Sequence, residues 1–147
     1  MTSGKIPDDA ITASSYYSSD YKPGYGRLKW VGYWCSWTPT AAGKIGSWLQ
    51  VDLGQLATVT GIATQGTCIN QDFFWAESYS VSYSNEPNLW TSYKESGNVK
   101  VFQGNTDQSS IVTHSFKPPI RARYIRVLPK SWSDWPTTRL ELYGCRY

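Results

Sequence analysis

The sequence predicts an all-β fold, an antiparallel sandwich or barrel of roughly eight short strands. Three observations carry that expectation. Apolar residues recur at period two, clusters of turn-forming residues punctuate them, and no helix-length stretch places apolar residues at three-and-four spacing. In 48–53, Leu49, Val51 and Leu53 share one face, with Trp48, Gln50 and Asp52 on the other. In 79–84, Tyr79, Val81 and Tyr83 alternate with Ser80, Ser82 and Ser84. In 123–128, Ile125 and Val127 oppose Tyr124 and Arg126, and in 138–143 Leu140 and Leu142 oppose Arg139, Glu141 and Tyr143. Weaker strand patterns occupy 58–63, 89–94, 98–102 and 111–116. Between them stand Asn85-Glu86-Pro87-Asn88, Ser96-Gly97-Asn98, Gly104-Asn105-Thr106-Asp107 and Pro118-Pro119, whose chemistry favours turns.

A chain of 147 residues can bury one core of its own, and no linker or repeat divides it, so a single domain over 1–147 is expected. Fourteen Lys and Arg against eleven Asp and Glu leave a net charge of +3, dispersed along the chain, too little to predict nucleic-acid binding, so no nucleic-acid partner is expected. The 16% aromatic content, eight tryptophans included, excludes disorder and requires an aromatic core, a ring-bearing contact surface, or both. No apolar run approaches the ~18 residues of a membrane helix. Residues 1–15 lack the apolar segment of a signal peptide, so the chain reads as a mature or excised domain.

Nothing in the sequence marks a catalytic centre. The single histidine, His114, and cysteines at 35, 68 and 145 match no metal-site spacing, and His114 reads as an ordinary strand residue. No nucleophile elbow, phosphate loop or dinucleotide fingerprint occurs. The domain is therefore expected not to be an enzyme and to need no cofactor. Asp20, Asp72 and Asp107 fall in loops without a clustered acidic motif, which leaves calcium dependence open. Three cysteines allow one pair and one remainder, and a loop-rich, low-charge domain with a disulfide points to an oxidising compartment.

Two stretches depart from strand patterning. Residues 12–47 interleave Tyr16, Tyr17, Tyr21, Tyr25, Trp30, Tyr33, Trp34 and Trp37 with Ser, Gly, Pro and Lys. Residues 66–75 place Phe73 and Phe74 side by side after Asn70-Gln71-Asp72. Adjacent phenylalanines defeat alternation, since both cannot point to one buried face. Rings in loops either pack on themselves or form a face that recognises something.

Ordered blocks along the chain resemble the discoidin domain, also called the coagulation factor V/VIII C-type domain. They are residues 4–15, Gly26-Arg27-Leu28, residues 47–54, 59–66, 79–85, 101–107, 118–129 and 139–145. The resemblance implies an eight-stranded antiparallel jelly-roll barrel with three loops protruding from one end, near 16–25, 31–45 and 67–74. It also implies a secreted, extracellular, non-catalytic module for adhesion or surface recognition. Members of that family attach to phosphatidylserine membranes, collagen, glycans, growth-factor tails or receptors. Cys145 matches the second half of the family's terminal disulfide, whose first half would precede Met1, so the chain reads as trimmed. Cys35 and Cys68 resemble an extra pair of the retinoschisin branch, and the resemblance implies that they are bonded. Trp48, Trp75, Trp90 and Trp132 match positions that look structural. Trp135 is placed either in packing or at the loop end.

The expected contact residues are Tyr16, Tyr17, Tyr21, Trp34, Trp37, Lys44, Asn70, Phe73 and Phe74. On an anionic phospholipid membrane the rings enter the interfacial layer while Lys22, Arg27, Lys29 and Lys44 meet head groups. On a glycan, Tyr17, Trp34 or Trp37 stack on a sugar and Asn70, Gln71 or Asp72 bind hydroxyls. On a cell-surface receptor or matrix protein the same rings serve as hot spots. A neuropilin-type pocket for a C-terminal arginine is not expected, because no acid follows Trp37-Thr38-Pro39. The membrane or cell-surface reading leads, and the oligomeric state is not encoded in any visible motif.

Overall fold

The computed structural model describes residues 1, 3–29, 35–69 and 71–146. Its strands are β1 (Ile11–Ala13), β2 (Leu49–Gln65), β3 (Trp75–Ser84), β4 (Thr91–Ser92), β5 (Lys94–Glu95), β6 (Asn98–Val99), β7 (Phe102–Gln103), β8 (Val112–Ser133) and β9 (Arg139–Arg146). One antiparallel sheet runs β1-β2-β8-β3-β4, with β9 also beside β2 and β7 beside β3, while β5 and β6 form a separate hairpin. The all-β class expected from the alternation is the class observed.

Two strands are much longer than the alternation implied, because each joins two of the expected strands across a bend. β2 contains both 48–53, short of Trp48, and 58–63. β8 contains 123–128 and all but the first residue of 111–116. The first arm of β2 pairs with β1 and with Tyr124–Val127 of β8, while its second arm pairs with β9 and the opening arm of β8. The ladder shifts register between Asp52 and Ala57. There Gly54 adopts φ +82°, a left-handed conformation that residues with a Cβ resist. Its N–H donates to Asp52 Oδ1 at 2.8 Å. From the other side Arg123 donates to both Asp52 oxygens, at 2.8 and 3.0 Å. The bend curls the sheet around a single core.

Leu49, Val51 and Leu53 enter that core as the alternation requires, with Tyr79, Val81, Ile125, Val127 and Leu140 facing them. Five of the described rings are buried here: Trp37, Tyr79, Tyr93, Phe102 and Phe116. Tyr79 stacks on Phe102 with centroids 5.4 Å apart, and Phe116 packs edge-on to Phe102 at 5.7 Å. Each such ring contributes on the order of 2–3 kcal/mol of burial, with up to about 1 kcal/mol more from the pairing. His114 sits on β8 against Tyr79 and Phe102, its Nε2 2.6 Å from the Gln103 carbonyl.

Alternation fails at two places. Ser80, Ser82 and Ser84 are buried along with the core-facing residues of β3. Arg139 and Glu141 are also buried, although the pattern places them outward. Arg139 turns its guanidinium onto backbone: Nε donates to the Gly66 carbonyl at 2.8 Å, and Nη2 to those of Thr67 and Gln108 at 3.2 and 3.1 Å. A charge-assisted bond of this kind ties the root of the 66–74 loop to the barrel.

Candidate ligand-binding face at the loop end

Trp37 is the post on which the loops are hung. Its backbone N–H and carbonyl exchange bonds with Thr138, both at 3.0 Å. The next residue, Thr38, accepts from the Tyr17 N–H at 2.8 Å, and Ser36 N–H donates to the Tyr25 carbonyl at 2.8 Å. The indole N–H reaches the Ser15 carbonyl at 2.8 Å, and the side chain is 0% exposed. Thr38 and Thr137 join hydroxyl to hydroxyl beside it. This corrects the assignment of Trp37 as a ligand contact. A loop tryptophan with its N–H satisfied by backbone gains several kcal/mol, on the order of 3, by burial, and no ligand can reach it.

Above that post, three segments converge on Trp135. Tyr17 meets its ring edge-on at 5.3 Å and touches Tyr21 at 6.0 Å. Phe74 approaches from the third loop at 6.4 Å. Lys44, from the second, holds its Nζ 3.8 Å over the ring centroid and donates to the Asp134 carbonyl at 2.7 Å. Trp135, left open between packing and ligand contact by its sequence position, is therefore the hub of the loop end. The disulfide Cys35–Cys68 links the second loop to the third, and Cys145 is free and exposed.

The adjacent phenylalanines divide as two opposed faces must. Phe74 is half-buried and its carbonyl accepts from the Thr67 N–H at 3.0 Å, whereas Phe73 is exposed, 6.5 Å from Trp75. Tyr16 and Tyr17 are exposed, Tyr21 and Lys44 half-buried. Burial, then Asp72 and Asp20, raise the Tyr21 phenol above its ordinary value, so acids border this side of the face. Trp34 and Asn70 lie outside the described residues.

Arg27 is a second correction. Its guanidinium is buried, donating to the carbonyls of Met1 and Ile6 and to Asp8 Oδ1 at 2.7, 2.8 and 2.6 Å, and so cannot meet a head group. Ile45, passed over in the sequence, stands 88% exposed. An isolated isoleucine in Ala-Ala-Gly-Lys-Ile-Gly-Ser, with no strand pattern to bury it, was the available signal. A shallow cavity of about 510 Å³ opens at the foot of the first loop, lined by Asp8, Asp9, Thr12, Tyr16, Lys22 and Tyr25 among others.

Comparison with known proteins places these features in a family. The F5/8 type C domain matches residues 10–142. Rat (Rattus norvegicus) lactadherin is 43% identical over 99% of the chain, which covers 35% of that protein. Coagulation factor VIII of Canis lupus familiaris is 40% identical over 99% of the chain, which covers 6% of it. The chain thus spans about a third of one relative and a small part of the other. Among solved structures, discoidin II of Dictyostelium discoideum superposes with a TM-score of 0.82 at 25% identity, over 93% of this chain and 55% of that one.

Proposed function

From the premise that the chain belongs to the F5/8 type C, or discoidin, domain family, and is a discoidin-type binding module, we propose that it attaches to anionic phospholipid surfaces through its loop tips. In this reading it is extracellular, non-catalytic and independent of any cofactor. One observation carries the proposal. Each of three loops holds a large apolar side chain in solvent: Tyr17 at 57%, Ile45 at 88% and Phe73 at 60% exposure. Leaving each exposed forgoes roughly 2 kcal/mol of burial, which interfacial lipid would restore. Lys44 lies over Trp135 beside Tyr17, and exposed Lys22 and Lys29 supply further charge for anionic head groups.

The test is co-sedimentation with vesicles of phosphatidylserine and phosphatidylcholine, using the double variant Ile45→Ser, Phe73→Ser. Binding should be largely lost while melting temperature hardly moves, and binding should survive EDTA. Undiminished sedimentation of the variant would reject the membrane reading. A glycan reading is favoured by one feature, the cavity beside exposed Tyr16, where a ring and the Asp9 carboxylate could meet a sugar's face and hydroxyls. Loss of a glycan-array signal in Tyr16→Ala, with vesicle binding absent, would select it.

A further inference from the structure

The flank of the barrel carries a second aromatic assembly, built on strands instead of loop tips. Tyr124, Arg126, Leu128 and Lys130 of β8 alternate outward while Ile125, Val127 and Pro129 are buried. The guanidinium of Arg126 lies between two indoles, its Cζ 3.9 Å from the Trp48 ring centroid and 4.0 Å from that of Trp90. Its Nε donates to Gln50 Oε1 at 2.8 Å, which fixes the plane. Trp90 is held in turn by its Nε1–H on the Pro87 carbonyl at 3.0 Å, with Tyr124 6.4 Å away.

The arginine is thus clamped on both faces and along one edge, yet its two terminal nitrogens have no hydrogen-bond partner among the described residues. Those nitrogens form the fork that receives a carboxylate through two parallel bonds. Burial lowers the proton affinity of this guanidinium. Its cross-strand neighbours, Gln50 and Ser82, are neutral. Asp52, the carboxylate on this face of β2, is already taken by Arg123. Lys130 on the same face of β8 is exposed and adds a second positive charge to the flank. Leu89, next to Trp90 in the chain, is 74% exposed.

We propose that this flank docks an acidic polypeptide segment of a protein partner, a carboxylate entering the fork of Arg126 while adjoining apolar groups pack on Trp48, Trp90 and Leu89. Two features set a polypeptide apart from a bare anion. Tryptophan, tyrosine and arginine are the residues that dominate protein–protein hot spots. The exposed leucine and indole edges offer apolar contact that a simple anion cannot use. The site shares no residue with the loop tips, so it stands whether or not they bind membrane.

The probe is a blocked six-residue peptide alternating glutamate and leucine, titrated into the isotope-labelled full chain, with a lysine–leucine peptide as control. The side-chain Nε–H resonance of Arg126 should shift saturably with the acidic peptide alone. Arg126→Gln and Arg126→Lys should each weaken binding about tenfold or more, since neither offers the fork. Leu89→Ser, at an exposed position that does not threaten folding, should weaken it severalfold. Phosphatidylserine vesicle binding should persist in all three variants. An unmoved Arg126 resonance at millimolar peptide, or equal affinity in Arg126→Gln, would overturn the proposal. So would a sulfated oligosaccharide that shifts the resonance when the peptide does not. If Arg126→Gln melts early, the resonance in the unmodified chain and the Leu89→Ser result decide.

Discussion

The ammonium of Lys44 lies 3.8 Å above the ring centroid of Trp135, ninety-one positions further along the chain, and donates to the carbonyl of Asp134 just before it. That contact joins the second loop to the 134–138 segment, and Tyr17 and Phe74 bring the first and third loops to the same ring. A face assembled around one indole depends on that indole more than on any single tip.

Trp135→Ala is therefore expected to loosen all three tips together. Vesicle binding should fall at least as far as in the Ile45→Ser, Phe73→Ser double variant, with an unchanged far-ultraviolet circular dichroism spectrum for the sheet. Lys44→Ala, which removes a cation–π contact of about 0.5–1 kcal/mol, should have a smaller effect. Vesicle sedimentation across the set measures both, and a Trp135→Ala protein that binds as well as the parent would dismiss the hub.

The two loop aromatics Trp37 and Tyr17 should separate stability from binding. Trp37→Ala empties a fully buried site and should cost roughly 3–5 kcal/mol, read as a large loss of urea midpoint. Tyr17→Ser, at an exposed ring, should cost no more than about 1 kcal/mol yet weaken ligand capture. Equal destabilisation by the two would contradict their opposite burial.

This contrast shows what the sequence could and could not disclose. Leu49, Val51 and Leu53 announce their strand, because a buried face on a pleated backbone must repeat every second residue. β1, only three residues long, is too short to show a period. The bend at Gly54 hides the continuity of β2, since the exposed Gly54, Gln55 and Leu56 interrupt the alternation. In the loops, Trp37 and Tyr17 look alike in sequence. The backbone bonds to Thr138 and the indole's bond to the Ser15 carbonyl, which bury the first, join distant segments, and local patterning carries no trace of them. Trp135 is obscured for the same reason, as is Arg139, whose alternation points outward while three loop carbonyls draw it in. The pairing of Cys35 with Cys68 came from family likeness, and the structure joins the two, with their Cα atoms 6.0 Å apart.

That disulfide should matter at the loop end more than in the barrel. Thiol counting on the denatured, unreduced chain should give one reactive group, Cys145. Closing a loop over a separation of 33 residues stabilises by about 3–4 kcal/mol in the chain-entropy model. The Cys35→Ser, Cys68→Ser protein should lose stability on that scale, and its vesicle binding should decline further than its sheet signal. Three reactive thiols in the unreduced chain would refute the pairing.

Asp52 should make the barrel's bend sensitive to acid. Hydrogen bonding from the Arg123 side chain is the largest cause holding its carboxyl below the ordinary range, with further support from the Gly54 N–H and the charges of Arg123 and Arg146. A carboxyl depressed on folding binds protons more readily in the unfolded chain. Its stabilising contribution is therefore complete above the unfolded value, about 3.9, and disappears as pH falls through the lower folded value. Asp107 is also depressed, chiefly by the backbone N–H of Ser110, so acid unfolding of the parent alone does not isolate Asp52. Comparing the parent with Asp52→Asn removes that ambiguity, since Asp107 is common to both. Their melting temperatures should differ most near neutrality, hold that difference to about pH 4–5, and converge in stronger acid. Because Asp52 and Arg123 are both partly exposed, salt should also narrow the gap at neutral pH. A difference that persists undiminished to pH 2 would show that the carboxylate's charge is not what secures the bend.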